Sequence, residues 1–192
     1  MSAVQQPELT IGQSLPWVNM MFDYTEKISA VLPDTLRDWR PTDPSGKFFF
    51  SLGELVAHMA DARLMFARQF SGDKSEEGYW SPGPGEDGVW PFPALGSVQE
   101  LAASLKTARA ALQPWLDLPA SEQWNGTDGT RAVFERNLKM MEEQGQDTAL
   151  MVQRGPANIN RILFAVVAHE SGHRGTLQTL LRMNGVDLGG EK

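Results

Sequence analysis

An all-α fold, a four-helix bundle with long connections, is what the sequence predicts, and three observations predict it. Four stretches repeat apolar residues at intervals of three and four, each with a recognisable start and stop, and no comparable alternating strand pattern occurs. The chain has 192 residues, near the upper end of one ordinary domain, so a single domain over 1–192 is expected. With 41% hydrophobic and 21% charged residues it can bury a real core and does not resemble a disordered chain.

The first helix is expected over about 11–32, with Leu15, Val18, Phe22, Thr25, Ile28 and Leu32 on one side. Thr10 and Gln13 would cap it and Pro33 would stop it. A linker over 33–50 leads to the second helix, where Ser51 and Glu54 form a Ser-x-x-Glu capping box ahead of Leu52, Leu55, Met59, Phe66 and Phe70. It should end near Gly72. From 72 to 96 the composition turns to Gly, Pro and acidic residues, which cannot sustain a helix interior, so a long loop is expected. Tyr79, Trp80, Trp90 and Phe92 within it would either tack it onto the bundle or build a lid.

Ser97 and Glu100 cap the third helix, whose apolar set is Val98, Leu101, Leu105, Ala108, Leu112 and Trp115, with Pro119 closing it. The pattern then weakens. Phe134, Leu138 and Met141 suggest a short helix, and the apolar run at 150–152 reads as strand or connector. The last helix follows Pro156 and runs to Asn184, with Gly185 as its C-terminal stop.

Charge and composition narrow the chemistry. A formal net charge of −7 argues against a general nucleic-acid or anionic-membrane surface. The absence of cysteine removes disulfides, thiolate metal sites and a catalytic thiol together, so any nucleophile or ligand of the chain's own is oxygen or imidazole. The N-terminus lacks a basic start followed by an apolar run, and no stretch reaches about 18 consecutive apolar residues, so a cytoplasmic address is expected.

The chain has three histidines, His58, His169 and His173. The last two are four apart on one helix face, with Cβ atoms roughly 5–6 Å apart, a separation that suits two imidazoles meeting one ion. Ile162, Ala165, Val166, Thr176 and Leu180 fall near the same direction on the helical wheel, so the pair is expected to face the core. His58 sits at the edge of its helix's apolar stripe and is the third imidazole in reach. Core histidines satisfied by hydrogen bonds are the alternative to a metal site.

Residues 169–173 spell His-Glu-Ser-Gly-His, which matches the zinc-protease pattern literally. The longer protease signature is missing, because position 179 is Thr, and the scaffold has no strands to offer. Glu170 and His173 also spell the Glu-x-x-His of di-iron bundles, but the second copy is absent, because position 55, three before His58, is Leu.

The run WRP at 39–41, FSLGELVAHMADAR at 50–63 and AHESGHRGTLQTLLRMNGV at 168–186 together closely resemble the DinB-like (YfiT-like) family of metalloenzymes. The resemblance covers nearly the whole chain. It implies a four-helix bundle with one His on the second helix and a His-x-x-x-His pair on the last, and a divalent metal ion, Zn, Ni or Fe, held by His58, His169 and His173. It further implies a metal-dependent enzyme: a transferase that uses a low-molecular-weight thiol on a small-molecule substrate, with a hydrolase or a non-catalytic metal-binding stress-response protein as alternatives. A homodimer is also expected. The acidic chain gives the family's DNA-damage association no support.

No second acid or base is assigned as catalytic. Glu54 is explained as the partner of Ser51. Glu170 is placed at the edge of the pair's face, in reach of a supporting role; Asp61 is expected to be solvated and Arg174 to lie at the surface or in an ion pair.

Overall fold

Helices form where the sequence caps them. The computed structural model describes residues 15–42, 50–71 and 95–189. Within these, α1 is Leu15–Ala30, a 3-10 turn follows at Asp34–Leu36, α2 is Leu52–Ser71 and α3 is Val98–Leu116. Then come α4 at Ala120–Gln123, α5 at Asp128–Glu143, α6 at Ala149–Arg154 and α7 at Ile159–Met183. No strand occurs among the described residues, in agreement with the all-α expectation.

At Ser51 the backbone N–H donates to Glu54 Oε2 at 2.8 Å, and the Glu54 N–H donates back to Ser51 Oγ at 3.1 Å, the reciprocal box that starts α2. Ser97 and Glu100 repeat it on α3. Asn158 caps α7 by accepting from the Arg161 N–H, and Gly185, with φ of 76°, takes the left-handed turn that ends it.

Two expectations are corrected here. The segment at 150–152 is neither strand nor connector but lies inside α6. The weakly patterned stretch between α3 and α7 also holds a 16-residue helix, α5, as long as α1, and it packs on α2. The proposed cap at Thr10 and Gln13 and most of the long loop, with Tyr79, Trp80, Trp90 and Phe92, lie outside the described residues.

Four helices pack in a closed ring: α1 on α3, α3 on α2, α2 on α7 and α7 on α1. Their apolar faces form two clusters, one around Leu55, Leu105 and Leu181, the other around Phe22, Phe70 and Leu163. Between the clusters lies Arg63, fully buried and the largest such side chain among the described residues. Its Nε and Nη2 donate to the two carboxylate oxygens of Glu170 at 2.7 Å each, and its Nη1 donates to Glu26 at 3.0 Å and to the Leu105 carbonyl at 2.8 Å. The Phe22 ring lies 4.3 Å from the guanidinium carbon. One residue of α2 therefore bonds to α7, α1 and α3 at once.

The segment before α2 is tied down as well. The Leu52 N–H donates to the Trp39 carbonyl and the Gly53 N–H to the Arg37 carbonyl, at 3.1 and 2.8 Å. A Cβ at position 53 would meet Arg37 Cγ at 2.7 Å, so glycine is what permits this approach. Arg40 then reaches Glu54 in an ion pair.

Removing one partner of a buried ion pair leaves the other charge stranded, at a cost of about 3–5 kcal/mol. Glu170→Ala should lower the urea unfolding free energy by about that amount. The double variant Arg63→Met with Glu170→Leu should lose clearly less than the two single losses added together. Additive losses in that cycle would show that the pair does not couple the helices.

Candidate metal centre

The ring order of the helices sets α2 against α7, and all three histidines lie on that seam. His58 comes from the second turn of α2, His169 and His173 from the middle of α7. Each is half-buried. His58 Nε2 and His169 Nε2 are 3.1 Å apart, and His173 Nε2 and His169 Nε2 are also 3.1 Å apart. One ligand atom from each of the three lies within 4.8 Å of the others.

Geometry and protonation both bear on whether an ion fits. A tetrahedral ion with metal–nitrogen bonds of about 2.0–2.1 Å keeps its nitrogens roughly 3.3–3.4 Å apart, within a few tenths of an ångström of the two separations from His169 Nε2. A neutral imidazole nitrogen has one in-plane site, either a proton or a lone pair, so His169 Nε2 cannot satisfy two neighbours by hydrogen bonding. A cation facing three lone pairs satisfies all of them. The Nδ1 of His169 is buried with no hydrogen-bond partner among the described residues, so only the Nε2 side of that ring has partners to engage.

Burial also prepares the ligands. It pushes the His58 imidazole down to about 4, with His173 and then His169 adding to the shift, and pushes His173 down to about 4, with His169 adding. His169 is lowered by burial too, against the opposing field of Glu170. The three rings are thus neutral near pH 7, the form that binds a metal.

Phe50 forms the wall on one side: its ring stacks on His58 with centroids 5.0 Å apart and meets His173 edge-on at 6.2 Å. Among the described residues, nothing packs on the neighbouring surface of α7 at Gly172. Gly172, one turn beyond His169, is exposed and a Cβ there would meet nothing within 4 Å, while Ala165, Ala168 and Thr176 are exposed as well.

Several sequence expectations change at this point. The pair does not face the core squarely, because Ala165 and Thr176 are exposed and Leu180 is half-buried. The buried face of α7 runs through Leu163, Val167, Glu170, Leu177 and Leu181 and is turned toward Glu170. Ala and Thr are poor markers of burial, and they had centred the stripe on the histidines. Glu170 is not an edge residue but is buried on Arg63. Asp61 is half-buried rather than solvated, and burial raises its carboxyl above the usual range. Arg174 is half-buried too and donates to the Met21 carbonyl at 3.3 Å. Arg63 was missed. The signal for it was an arginine on the apolar side of α2, four residues after Met59 and three before Phe66.

Among the described residues no carboxylate joins the cluster. Glu54 is occupied by Ser51 and Arg40, and Glu170 by Arg63.

The chain should bind one divalent ion, and the triple alanine variant at 58, 169 and 173 should bind none in stoichiometric amount. Because an imidazolium cannot ligate, protons compete with the ion. With two of the rings protonating only at about 4 and the third also lowered, affinity should hold as pH falls to 6.5, the ordinary imidazole value, and drop below it. Titration against a chromophoric chelator at stepped pH checks this; a collapse between pH 7 and about 6.5 would contradict it.

The DinB superfamily model matches residues 20–177, a span that contains all three histidines. No curated protein and no solved structure gives a significant match.

Proposed function

The chain belongs to the DinB superfamily, and from that premise we propose that it is a metal-dependent transferase in which His58, His169 and His173 hold one divalent ion and a low-molecular-weight thiol is the nucleophile. The observation that carries this reading is the convergence of three neutral Nε2 atoms with no carboxylate beside them. Imidazole donors suit Zn, Ni and Fe alike. A divalent ion on three neutral ligands keeps its full charge and an open coordination position, where it lowers the pKa of a bound thiol or water.

The choice of thiol over water follows from the chain's own residues. Hydrolysis at a metal is helped by a positioned base that takes the water's proton. The two buried glutamates nearest in sequence, Glu54 and Glu170, are both committed to arginines, and among the described residues no carboxylate, half-buried Asp61 included, joins the histidine cluster. A thiol, far more acidic than water, needs no such base. The chain has no cysteine, so the sulfur comes from a co-substrate. In the transfer the S–C bond forms as the carbon–leaving-group bond breaks with its electron pair, and the thiol proton passes to water through the open face. Phe50 stacks on His58, limits its rotation and shields one side of the site from water.

The test uses cobalt-substituted protein titrated with glutathione. A new sulfur-to-metal absorption band is expected, together with thiol-dependent consumption of an electrophile that disappears on metal removal or in His169→Ala. Ester turnover with water alone and no spectral response would favour a hydrolase. Neither response, with metal bound, would leave a non-catalytic metal-binding protein.

A further inference from the structure

A second cavity lies apart from the histidines, between α5, α6, α7 and the end of α2, with a volume of about 390 Å³. On α7 its nearest residue, Ile162, is seven positions from His169, roughly 10 Å along the axis, and on α2 Gln69 is eleven from His58, roughly 16 Å. The size is within the range that encloses a small organic ligand.

Its wall is apolar and suited to a flat ring: Phe134 and Met141 from α5, Leu150 and Met151 from α6, and Ile162 from α7. Methionine sulfur against a ring edge is a favourable contact, and two methionines flank this space. Leu150 is 56% exposed, so the cavity's apolar lining is not covered by the chain's own packing.

Its polar groups are arranged in two levels. At the floor Gln69 is 5% exposed, and its side-chain amide makes no hydrogen bond among the described residues. The two donors and one acceptor of this primary amide are open to the cavity, where a polar group of a ligand can take the place of water. At the rim Arg154 and Arg161 are exposed and make no ion pair among the described residues. Asp147 also lines the rim, but its Oδ1 accepts from the Ala149 N–H at 2.9 Å, so it is engaged locally. Two guanidinium groups against one engaged carboxylate favour an anion at the mouth.

We propose that this cavity is a binding site for a small aromatic carboxylic acid, held with its carboxylate outward on Arg154 and Arg161 and a hydrogen-bonding group, such as a hydroxyl, inward on Gln69. The site is independent of the histidines, and nothing in the transfer chemistry requires it.

The test titrates the full, metal-loaded chain with 3-(4-hydroxyphenyl)propionate by calorimetry, beside 3-phenylpropionate and 3-(4-hydroxyphenyl)propylamine. Saturable binding of one hydroxy acid per chain is expected, several-fold weaker without the hydroxyl and absent for the amine. Arg154→Gln with Arg161→Gln should weaken the acid by roughly tenfold or more, the effect of losing charge-assisted hydrogen bonds. Gln69→Leu should erase the difference between the two acids. Stripping the metal with a chelator should leave the affinity unchanged, whereas loss of binding on stripping would place the acid on the ion and overturn the proposal. Equal binding of amine and acid, indifference to the arginine pair, or no saturation at millimolar concentration would overturn it as well. Helical far-UV spectra and retained metal stoichiometry show that each variant is folded.

Discussion

Arg63 is the constraint on which the rest of this structure depends. A guanidinium with no solvent exposure has to find partners for its donors within the bundle, and it finds them on three other helices: Glu170 on α7, Glu26 on α1 and the Leu105 carbonyl on α3. Apolar side chains alone tolerate rotation and sliding of helices past one another, since many packings bury similar area. A bidentate pair at 2.7 Å does not. The two apolar clusters, one on each side of this layer, therefore share one relative setting of α2 and α7.

That setting decides where the histidines go. Glu170 is next to His169 in sequence, and locking its carboxylate onto Arg63 fixes the rotation of α7 about its axis. With Glu170 pointing into the core, His169 and His173 are turned to the α2 seam, and His58, five residues before Arg63 on α2, is turned to meet them. The same ion pair removes from the site the one carboxylate that the His-Glu-x-x-His pattern would have offered as a base. A literal motif match thus carries the wrong chemistry. The spacing of the letters is that of a zinc protease, while the side chain of the glutamate is spent on structure.

Much of this was legible in the sequence, and the parts that were not share a physical cause. The caps at Ser51 and Ser97, the long helices and the shared face of His169 and His173 follow from local rules: hydroxyl and carboxylate spacing at a helix start, and the 3.6-residue period. The grouping of His58 with that pair came from the family resemblance, because no local rule links residues 111 apart. The rotation of α7 did not follow, because Ala165 and Thr176 sit at ease on either a buried or an exposed face. The partners of Glu170 and Glu26 did not follow either. A buried arginine 107 residues from its carboxylate partner leaves no periodic trace along the chain. α5 and α6 were blurred for another reason: α5 carries few apolar residues, because half its length serves a partly open cavity and solvent instead of the central core.

Half-burial of the three imidazoles reconciles the needs of the site. Full exposure would leave them near the ordinary value of about 6.5, partly protonated in mildly acidic conditions and competing with any ion. Full burial would close the approach from solvent. At the edge of the α2 and α7 seam, desolvation lowers the rings enough to keep them neutral, while the stretch of α7 around Gly172 is exposed, with nothing packed on it among the described residues. The cost is the buried Nδ1 of His169, which has no partner among the described residues. A polar atom left unsatisfied in that way is offset if the opposite nitrogen of the same ring gains more, as it would if three converging Nε2 atoms met one cation.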